Sequence, residues 1–309
     1  MSSLNTNVAA MTALQTLSHT NKEMLVTQNR ISTGLRVKDA SDNAAYWSIA
    51  TTMRSDNMAV STVQDALGLG AATVDVAVTA MNNAIEAVSK IKAKLVAARQ
   101  PGVDRAKIQS EISALQTELR STAQSAVFSG ENWVMGDSSG NTLKTIVASF
   151  ARDSTGAISI GTIEIDVGPT GTMLFDSSGT PQGILDSEMT TTGNAITYSV
   201  ETLDIAAITD DATELQDLED MITGVDDSLS LMTDAATRLG AAKSRISLQK
   251  DFVSKLMDSI ETGIGQLIDA DMNEESTRLQ ALQVRQQLGV QALGIANQSA
   301  QQILALFQG

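Results

Sequence analysis

The sequence predicts a mainly α-helical fold with a β-rich middle: long paired, coiled-coil-like helices from both termini, plus a β hairpin and a small β-rich inserted domain. The three prolines, Pro101, Pro169 and Pro181, leave two long flanks without helix breakers. Apolar residues in those flanks recur at heptad-like steps, and aromatic residues make up only 3% of the chain, which is typical of interhelical seams. Between about Asp137 and Thr209 glycine, serine and threonine dominate, and the helical spacing is lost.

The N-terminal flank carries an apolar stripe with steps of seven, four and three residues. Its members are Leu67, Val74, Val78, Met81, Ile85, Val88 and Leu95. The stripe predicts a helix from about Ala44 to Arg99, which would be about 80 Å long at about 1.5 Å per residue. Asp104 is a suitable N-cap for a second helix. The apolar face of that helix consists of Ile108, Ile112, Leu115 and Leu119.

The C-terminal flank repeats this pattern in one continuous seam. Its members are Val225, Leu229, Met232, Ala236, Leu239, Ile246, Val253, Ile260 and Leu267. Lys243 and Lys250 fall on the same stripe. We favour the interpretation that their aliphatic stems cover the seam while the ammonium groups reach water. The alternative is a polar site that sets the register of the helices.

Two alternating runs in the middle, Lys144–Phe150 and Ala157–Asp166, predict β-strands. The polar residues 152–156 between them end in glycine and can close a hairpin. We therefore expect a β hairpin over residues 143–166, at the border of a variable β-rich surface insertion over residues 140–205.

The two extreme ends of the chain have a different chemistry. No charged residue occurs from Gln286 to Gly309. Each end carries an apolar stripe but has no neighbouring segment that could bury it, so we expect the ends to pair with each other and with further copies. Buried glutamine and asparagine side chains can form hydrogen bonds within a dense assembly, whereas burying charged side chains there would be unfavourable. The predicted polymerisation residues are Leu4, Val8, Met11, Leu14, Leu17, Met24, Ile31, Val284, Leu288, Ala292, Ile295, Ile303 and Leu306.

Composition and motifs argue against several classes of function. The net charge of −15 would repel a nucleic acid or an anionic membrane, and no apolar run is long enough for membrane insertion. The single histidine, His19, cannot build a two-histidine zinc site, and Gly68-Leu69-Gly70 follows no predicted strand and so is no dinucleotide loop. We expect no catalytic, cofactor-binding or metal-binding residues, and no enzyme.

Short motifs near both ends occur in a fixed order. Residues 4–7 read LNTN, residues 29–37 read NRISTGLRV, residues 239–246 read LGAAKSRI, and residues 269–272 read DADM. The motif residues are Arg30, Ser32, Gly34, Arg36, Asp42, Asn43, Arg245, Asp269, Asp271 and Asn297. Together these motifs resemble the bacterial flagellins, especially those of the alphaproteobacterial type, at both ends of the chain but not in its middle.

The resemblance implies a structural subunit that polymerises into the flagellar filament for swimming. It implies an inner terminal-helix domain (1–43 and 268–309), an outer helical domain (44–139 and 206–267) and the insertion (140–205). The implied partners are further copies, the filament cap, the hook-junction proteins and an export chaperone, and the implied location is the secreted, extracellular filament reached by type III export. The alternatives are a hook–filament junction protein and a soluble coiled-coil scaffold.

The resemblance also identifies three positions equivalent to those that an animal receptor contacts on flagellins. They are Lys90, Lys94 and Glu111. Lys94 replaces the usual leucine, so we expect weaker recognition by that receptor.

Overall fold

A computed structural model of the chain describes residues 7–153 and 155–307, with side chains up to residue 298 in the last helix. Helices dominate this described part, as predicted. They are α1 (Val8–Thr33), α2 (Ala44–Ala98), α3 (Arg105–Ser125), α4 (Ala212–Ile268) and α5 (Met272–Phe307). Within the described ranges, the helices lack any apolar stretch that would span a bilayer.

The strands of the described residues all lie between α3 and α4. They are β1 (Val127–Phe128), β2 (Glu131–Asn132), β3 (Met135–Gly136), β4 (Leu143–Arg152), β5 (Ile158–Asp166), β6 (Phe175–Asp176), β7 (Met189–Thr190) and β8 (Thr197–Tyr198). Strands β3 and β6 pair in parallel. The other pairs, β1 with β2, β4 with β5 and β7 with β8, are antiparallel. The fold class predicted from the sequence is therefore confirmed.

The predicted β hairpin consists of β4 and β5. Its register runs from Leu143 opposite Asp166 to Arg152 opposite Ile158. The Oδ1 atom of Asp153 accepts hydrogen bonds from the backbone N–H groups of Thr155 and Ala157, at 2.8 Å and 2.9 Å. An aspartate that binds the backbone two residues further on is a common means of reversing the chain.

The chain divides into two compact units. The terminal unit comprises Met1–Met58 and Asp258–Gly309, and the central unit comprises Ala59–Met257. The boundaries thus fall within α2 and within α4.

The core of the central unit follows the predicted stripes. Fully buried side chains on α2 and α4 are Leu67, Val74, Met81, Val88, Leu95, Val225, Met232, Leu239 and Ile246. Val200, Leu203 and Ile205, from the β-rich middle, are buried in the same hydrophobic cluster. Residues 140–205 therefore share a core with the helices of this unit.

Lys243 and Lys250 are both exposed, whereas Ala242 is buried at the same level of α4. The ammonium group of Lys243 lies 2.6 Å from Oδ1 of Asp75 on α2. The head group of Lys243 thus lies at the surface, as expected. The covering of the seam by the lysine stems and a register-setting role of the lysines both stay predictions.

A buried arginine ties the end of α2 to the segment before α4. The guanidinium of Arg105 donates to the carbonyl oxygens of Ala98 (3.0 Å) and Ile208 (3.2 Å) and to Oδ1 of Asp210 (2.6 Å). The hydrogen bond from Arg105 holds the pKa of the Asp210 carboxyl below its usual value. Arg105 thereby donates a hydrogen bond to a carbonyl oxygen at the C-terminal end of α2, where the helix itself supplies no donor.

The terminal unit has a much smaller buried cluster. Its members are Val37, Ala50, Ile264 and Ile268, against which Leu35, Met53, Ile260 and Leu267 pack. In this unit the chain turns from α1 into α2 and from α4 into α5, and the two turns are hydrogen-bonded to each other.

Candidate assembly surface on the terminal helices

Helices α1 and α5 pack side by side in opposite directions. The Nδ2 atom of Asn7 donates to the carbonyl oxygen of Ala296 at 2.9 Å. Further along, Nε2 of Gln286 donates to Oδ1 of Asn21 at 2.8 Å. Because the residue numbers rise along α1 while they fall along α5, the pairing is antiparallel. Its hydrogen bonds join residues that are 245 to 289 positions apart in the chain.

The contact between these two helices uses mainly small and polar side chains. The buried residues in its described part are Thr20, Thr27, Glu275, Leu282 and Ala296. A Cβ atom at Gly289 would lie 3.2 Å from Cδ1 of Leu17, so a glycine allows a close approach there. Small residues bring the helices together but bury little apolar area.

Most of the predicted polymerisation residues point away from this contact. Six of them are between 54% and 69% exposed: Val8, Met11, Leu14, Val284, Leu288 and Ile295. Ala292 is exposed as well, whereas Leu17, Met24 and Ile31 are half-buried. Leu4 lies outside the described residues, as do the side chains of Ile303 and Leu306.

Four further large apolar side chains in the described part of these helices are exposed, although the predicted stripe did not include them. They are Leu25, Val26, Met272 and Val290. They lie on faces of α1 and α5 outside the predicted stripe, so a pattern of one stripe per helix does not include them. An apolar surface on several sides of a helix pair is typical of a segment that is covered by neighbours.

One buried ion pair lies within this otherwise mostly uncharged contact. Glu275 is 4% exposed, and its Oε1 accepts hydrogen bonds from Nη1 of Arg30 (2.9 Å) and Nη1 of Arg278 (3.4 Å). The Oε2 atom has no partner among the described residues. A buried charge of this kind penalises any other register of α1 against α5, because a shift would leave the carboxylate unpaired.

The motif residues after α1 shape the turn into α2. Gly34 ends α1 in the left-handed region at φ +72°, and its N–H donates to the carbonyl of Arg30 at 2.8 Å. The Oδ2 atom of Asp42 accepts from the backbone N–H groups of Lys38 and Asp39, which hold the pKa of the Asp42 carboxyl below its usual value. Asn43 caps α2, because its Oδ1 accepts from the first N–H groups of the helix.

The remaining motif residues join this turn to the one before α5. The backbone N–H of Arg36 donates to the carbonyl of Ile268 at 2.6 Å, and its Nη2 donates to the carbonyl of Leu267 at 3.0 Å. Asp269 forms a β-bridge with Leu35. Asp271 then caps α5 through its Oδ1 atom. Ser32, Arg245 and Asn297 are exposed.

The three receptor-equivalent positions lie on α2 and α3. Lys90 forms an ion pair with Glu86 at 2.9 Å, one helical turn away. Lys94 forms an ion pair with Glu111. Two of the three positions are therefore engaged with each other.

No cluster of three or more histidine, aspartate or glutamate side chains in the described residues has the geometry to hold a metal ion.

Comparisons with known proteins agree on one family. Residues 4–139 match the family model described as the bacterial flagellin N-terminal helical region, and residues 222–307 match the bacterial flagellin C-terminal helical region. The chain is 50% identical to flagellin C of Rhizobium meliloti (strain 1021) and 48% identical to a flagellin of Brucella melitensis biotype 1. Both alignments cover 100% of each chain.

A solved structure shares the fold at much lower identity. It is a chain from Vibrio parahaemolyticus described as a flagellar hook-associated protein, with a TM-score of 0.52 and 12% identity. The match covers 74% of the present chain and 100% of the other. At that identity the likeness concerns the fold alone, and it does not favour the junction-protein alternative over the full-length flagellin relatives.

Proposed function

Because the chain belongs to the bacterial flagellin family and is a structural subunit of a flagellar filament rather than an enzyme, we propose that its copies polymerise through the exposed apolar side chains of α1 and α5. The observation that carries this proposal is the outward position of large apolar residues on a helix pair whose mutual contact is small and polar. Leaving those side chains in water is unfavourable by about 25 cal/mol per Å² of apolar surface. Burial against further copies removes that penalty, and a head-to-tail contact that does not close into a ring generates a helical filament.

Replacing Leu288 by serine tests this surface. Leu288 is 57% exposed on α5, and Leu231 is 55% exposed on α4 in the central unit, so the two leucines differ in location rather than in exposure or helical setting. We expect Leu288→Ser to raise the critical concentration for polymerisation about tenfold or more, as loss of roughly 1.5–3 kcal/mol of burial predicts. Leu231→Ser should change it about twofold at most. Sedimentation of filaments over a concentration series measures both values.

The proposal would be wrong if Leu288→Ser assembled at the same critical concentration as the unmodified chain. Equal effects of the two substitutions would also contradict it, because they would assign no special role to the terminal helices. Helix content of the monomers, measured by circular dichroism, shows whether both variants are folded.

The same proposal includes the layers of the filament, the export of the chain and the other flagellar proteins that it meets. Residues 1–43 and 268–309 form the inner core of the filament, residues 44–139 and 206–267 form the outer helical layer, and residues 140–205 face outward. The chain is secreted through the flagellar export route with the help of a chaperone, and it meets the cap and the hook-junction proteins at the two ends of the filament. Filaments sheared from motile cells should contain this chain, and its retention inside the cells would contradict export.

We also propose that the animal receptor for flagellins recognises this chain weakly. Lys94 stands where the family has a leucine, and its ammonium group pairs with Glu111, another receptor-equivalent position. Lys94→Leu would remove the pair, free Glu111 and restore the apolar contact, so we expect receptor activation in a reporter-cell assay to rise. Lys92→Leu, which breaks the ion pair with Asp226 on the same helix, is the control. A flat response to Lys94→Leu would refute the proposal.

A further inference from the structure

A groove runs between α1 and α5 beside the buried Glu275. It has a volume of about 570 Å³. Its uncharged lining consists of Val26, Thr27, Ala281 and Leu282. Its charged and titratable lining consists of His19, Lys22, Glu23, Arg30, Arg278 and Arg285.

All lysine and arginine residues of α1 and α5 line this one groove. The sequence of the two helices contains Lys22, Arg30, Arg278 and Arg285 and no other lysine or arginine. The rest of the helix pair is therefore free of positive charge, and four cationic side chains converge from two segments that are far apart in the chain. We call this feature the basic groove.

The four cations of the basic groove are not equally neutralised. Arg30 and Arg278 share the buried carboxylate of Glu275, and Arg278 also lies 3.2 Å from Glu274. Lys22 and Arg285 form no ion pair with any residue in the described ranges 7–153 and 155–307, and both are exposed. Two positive charges at one groove thus lack an ion-pair partner in the part of their own chain that the structure describes.

The rest of the chain is strongly acidic. The central unit, Ala59–Met257, contains 26 acidic and 14 basic residues, within a chain of net charge −15. The terminal unit, Met1–Met58 and Asp258–Gly309, also contains more acidic than basic residues, 10 against 7. Both units of a neighbouring copy therefore offer an excess of carboxylates to the unpaired cations. Charge complementarity of this kind selects an orientation and speeds association.

We propose that the basic groove receives aspartate or glutamate side chains of a second copy of this chain, with Lys22 and Arg285 as the groups that bind them. The inference rests on the proposed polymerisation but adds a distinct, electrostatic contact to it. The apolar side chains of α1 and α5 drive association, and the groove sets which face of the neighbouring copy is accepted. Carboxylates that come from another molecule explain why Lys22 and Arg285 form no ion pair within the described residues of one copy.

Zero-length cross-linking with a carbodiimide tests the contact directly, because it leaves no spacer between a lysine amine and a carboxylate and so joins only groups that come into direct contact. Filaments are assembled from an equal mixture of unlabelled and 15N-labelled full-length chains, cross-linked and analysed by mass spectrometry. We expect peptides in which Lys22 of one isotope is joined to an aspartate or glutamate of the other. The monomer under the same conditions should give no such peptide.

Two results would overturn the proposal. One is a filament in which Lys22 reacts with an acylating reagent as fast as it does in the monomer, because the groove would then be empty. The other is a Lys22 cross-link only to carboxylates of its own copy. Neither result affects the proposed function, which is tested separately by filament formation of the unmodified chain and by the comparison of Leu288→Ser with Leu231→Ser.

Charge reversal supplies an independent measurement. Lys22→Glu and Lys250→Glu make the same change at exposed lysines without an ion pair in the described residues, one inside the groove and one outside it. At about 0.1 M salt, where the Debye length is about 10 Å, Lys22→Glu should raise the critical concentration about tenfold and Lys250→Glu less than about twofold. The difference should shrink at about 1 M salt. Lys22→Arg keeps the positive charge and should assemble like the unmodified chain. Equal critical concentrations for Lys22→Glu and Lys250→Glu would contradict the proposed contact in the basic groove.

Discussion

Tyr198 shows how one buried polar residue couples the β-rich middle to a long helix. Its side chain is 5% exposed, and its hydroxyl donates to the backbone carbonyl of Asp220 on α4 at 2.9 Å. Burial, together with the negative charges of Asp220 and Asp227, raises the pKa of Tyr198 from 10.0 to about 12. The folded protein therefore favours the protonated phenol.

This shift predicts a loss of stability at alkaline pH. A group whose folded pKa is raised contributes stability that is fully present below the unfolded pKa of 10.0 and is lost as pH rises to about 12. At about 1.4 kcal/mol per pKa unit, the contribution is about 3 kcal/mol. Between pH 10 and about pH 12, Tyr198→Phe should therefore lose less unfolding free energy than the unmodified chain. Urea denaturation at a series of pH values measures the difference.

Absorbance of tyrosinate checks the pKa itself. The chain has two tyrosines, so Tyr46→Phe leaves Tyr198 as the only residue that can form tyrosinate. We expect its titration midpoint near 12 in the folded protein and near 10 in urea. A folded midpoint near 10 would mean that Tyr198 is not held in the buried position.

At the scale of the element, two glycines of α2 explain a motif that looks like a nucleotide loop. A Cβ atom at Gly70 would lie 2.7 Å from Cδ1 and Cγ2 of Ile146, a buried residue of β4. A Cβ atom at Gly68 would meet nothing within 4 Å. The β hairpin therefore approaches α2 at Gly70, and the G-x-G pattern reflects helix–hairpin contact rather than phosphate binding.

Alanine substitutions at these two positions should have opposite effects. Gly68→Ala should stabilise the protein by up to about 1 kcal/mol, because alanine is the better helix former. Gly70→Ala should destabilise it by about 1–3 kcal/mol, since the added methyl group displaces a buried isoleucine. Thermal unfolding followed by circular dichroism measures both. If Gly70→Ala were neutral or stabilising, the close approach of β4 to α2 would be refuted.

For the whole molecule, the two compact units differ greatly in the size of their cores. Among the described residues, the hydrophobic cluster of the terminal unit has four buried members, whereas that of the central unit extends along α2, α3, α4 and the strands. Apolar burial supplies most of the free energy of folding. We therefore expect the terminal unit of the free monomer to unfold first.

The two tryptophans report on the units separately. Trp47, in the terminal unit, is 38% exposed, and Trp133, in the central unit, is 6% exposed. In urea the emission of Trp47, observed in Trp133→Phe, should change at a lower midpoint than the emission of Trp133, observed in Trp47→Phe. Coincident midpoints in the unmodified chain and in both variants would contradict this prediction and would indicate one cooperative unit.

Much of this fold follows from patterns that are local in the sequence. The stripe of α2 predicts a helix to within a residue of its observed bounds, Ala44–Ala98, and Asp104 caps α3 as expected. The hairpin bounds follow equally from alternation and from a glycine-ended turn. Helix periodicity, capping and strand alternation depend on residues a few positions apart, so a single sequence contains them.

Only the tertiary structure decides which faces of those elements are covered. Spacing alone places Leu14 and Leu17 on one stripe, yet Leu14 is exposed and Leu17 lies against Gly289. The Arg30–Glu275 pair and the basic groove join residues about 250 positions apart, which no local pattern connects. The sequence by itself determined a filament subunit with helical ends. The antiparallel register of α1 against α5 decided which side chains of these helices stay exposed and can contact other copies. Exposure depends on where segments that are distant in the sequence pack together.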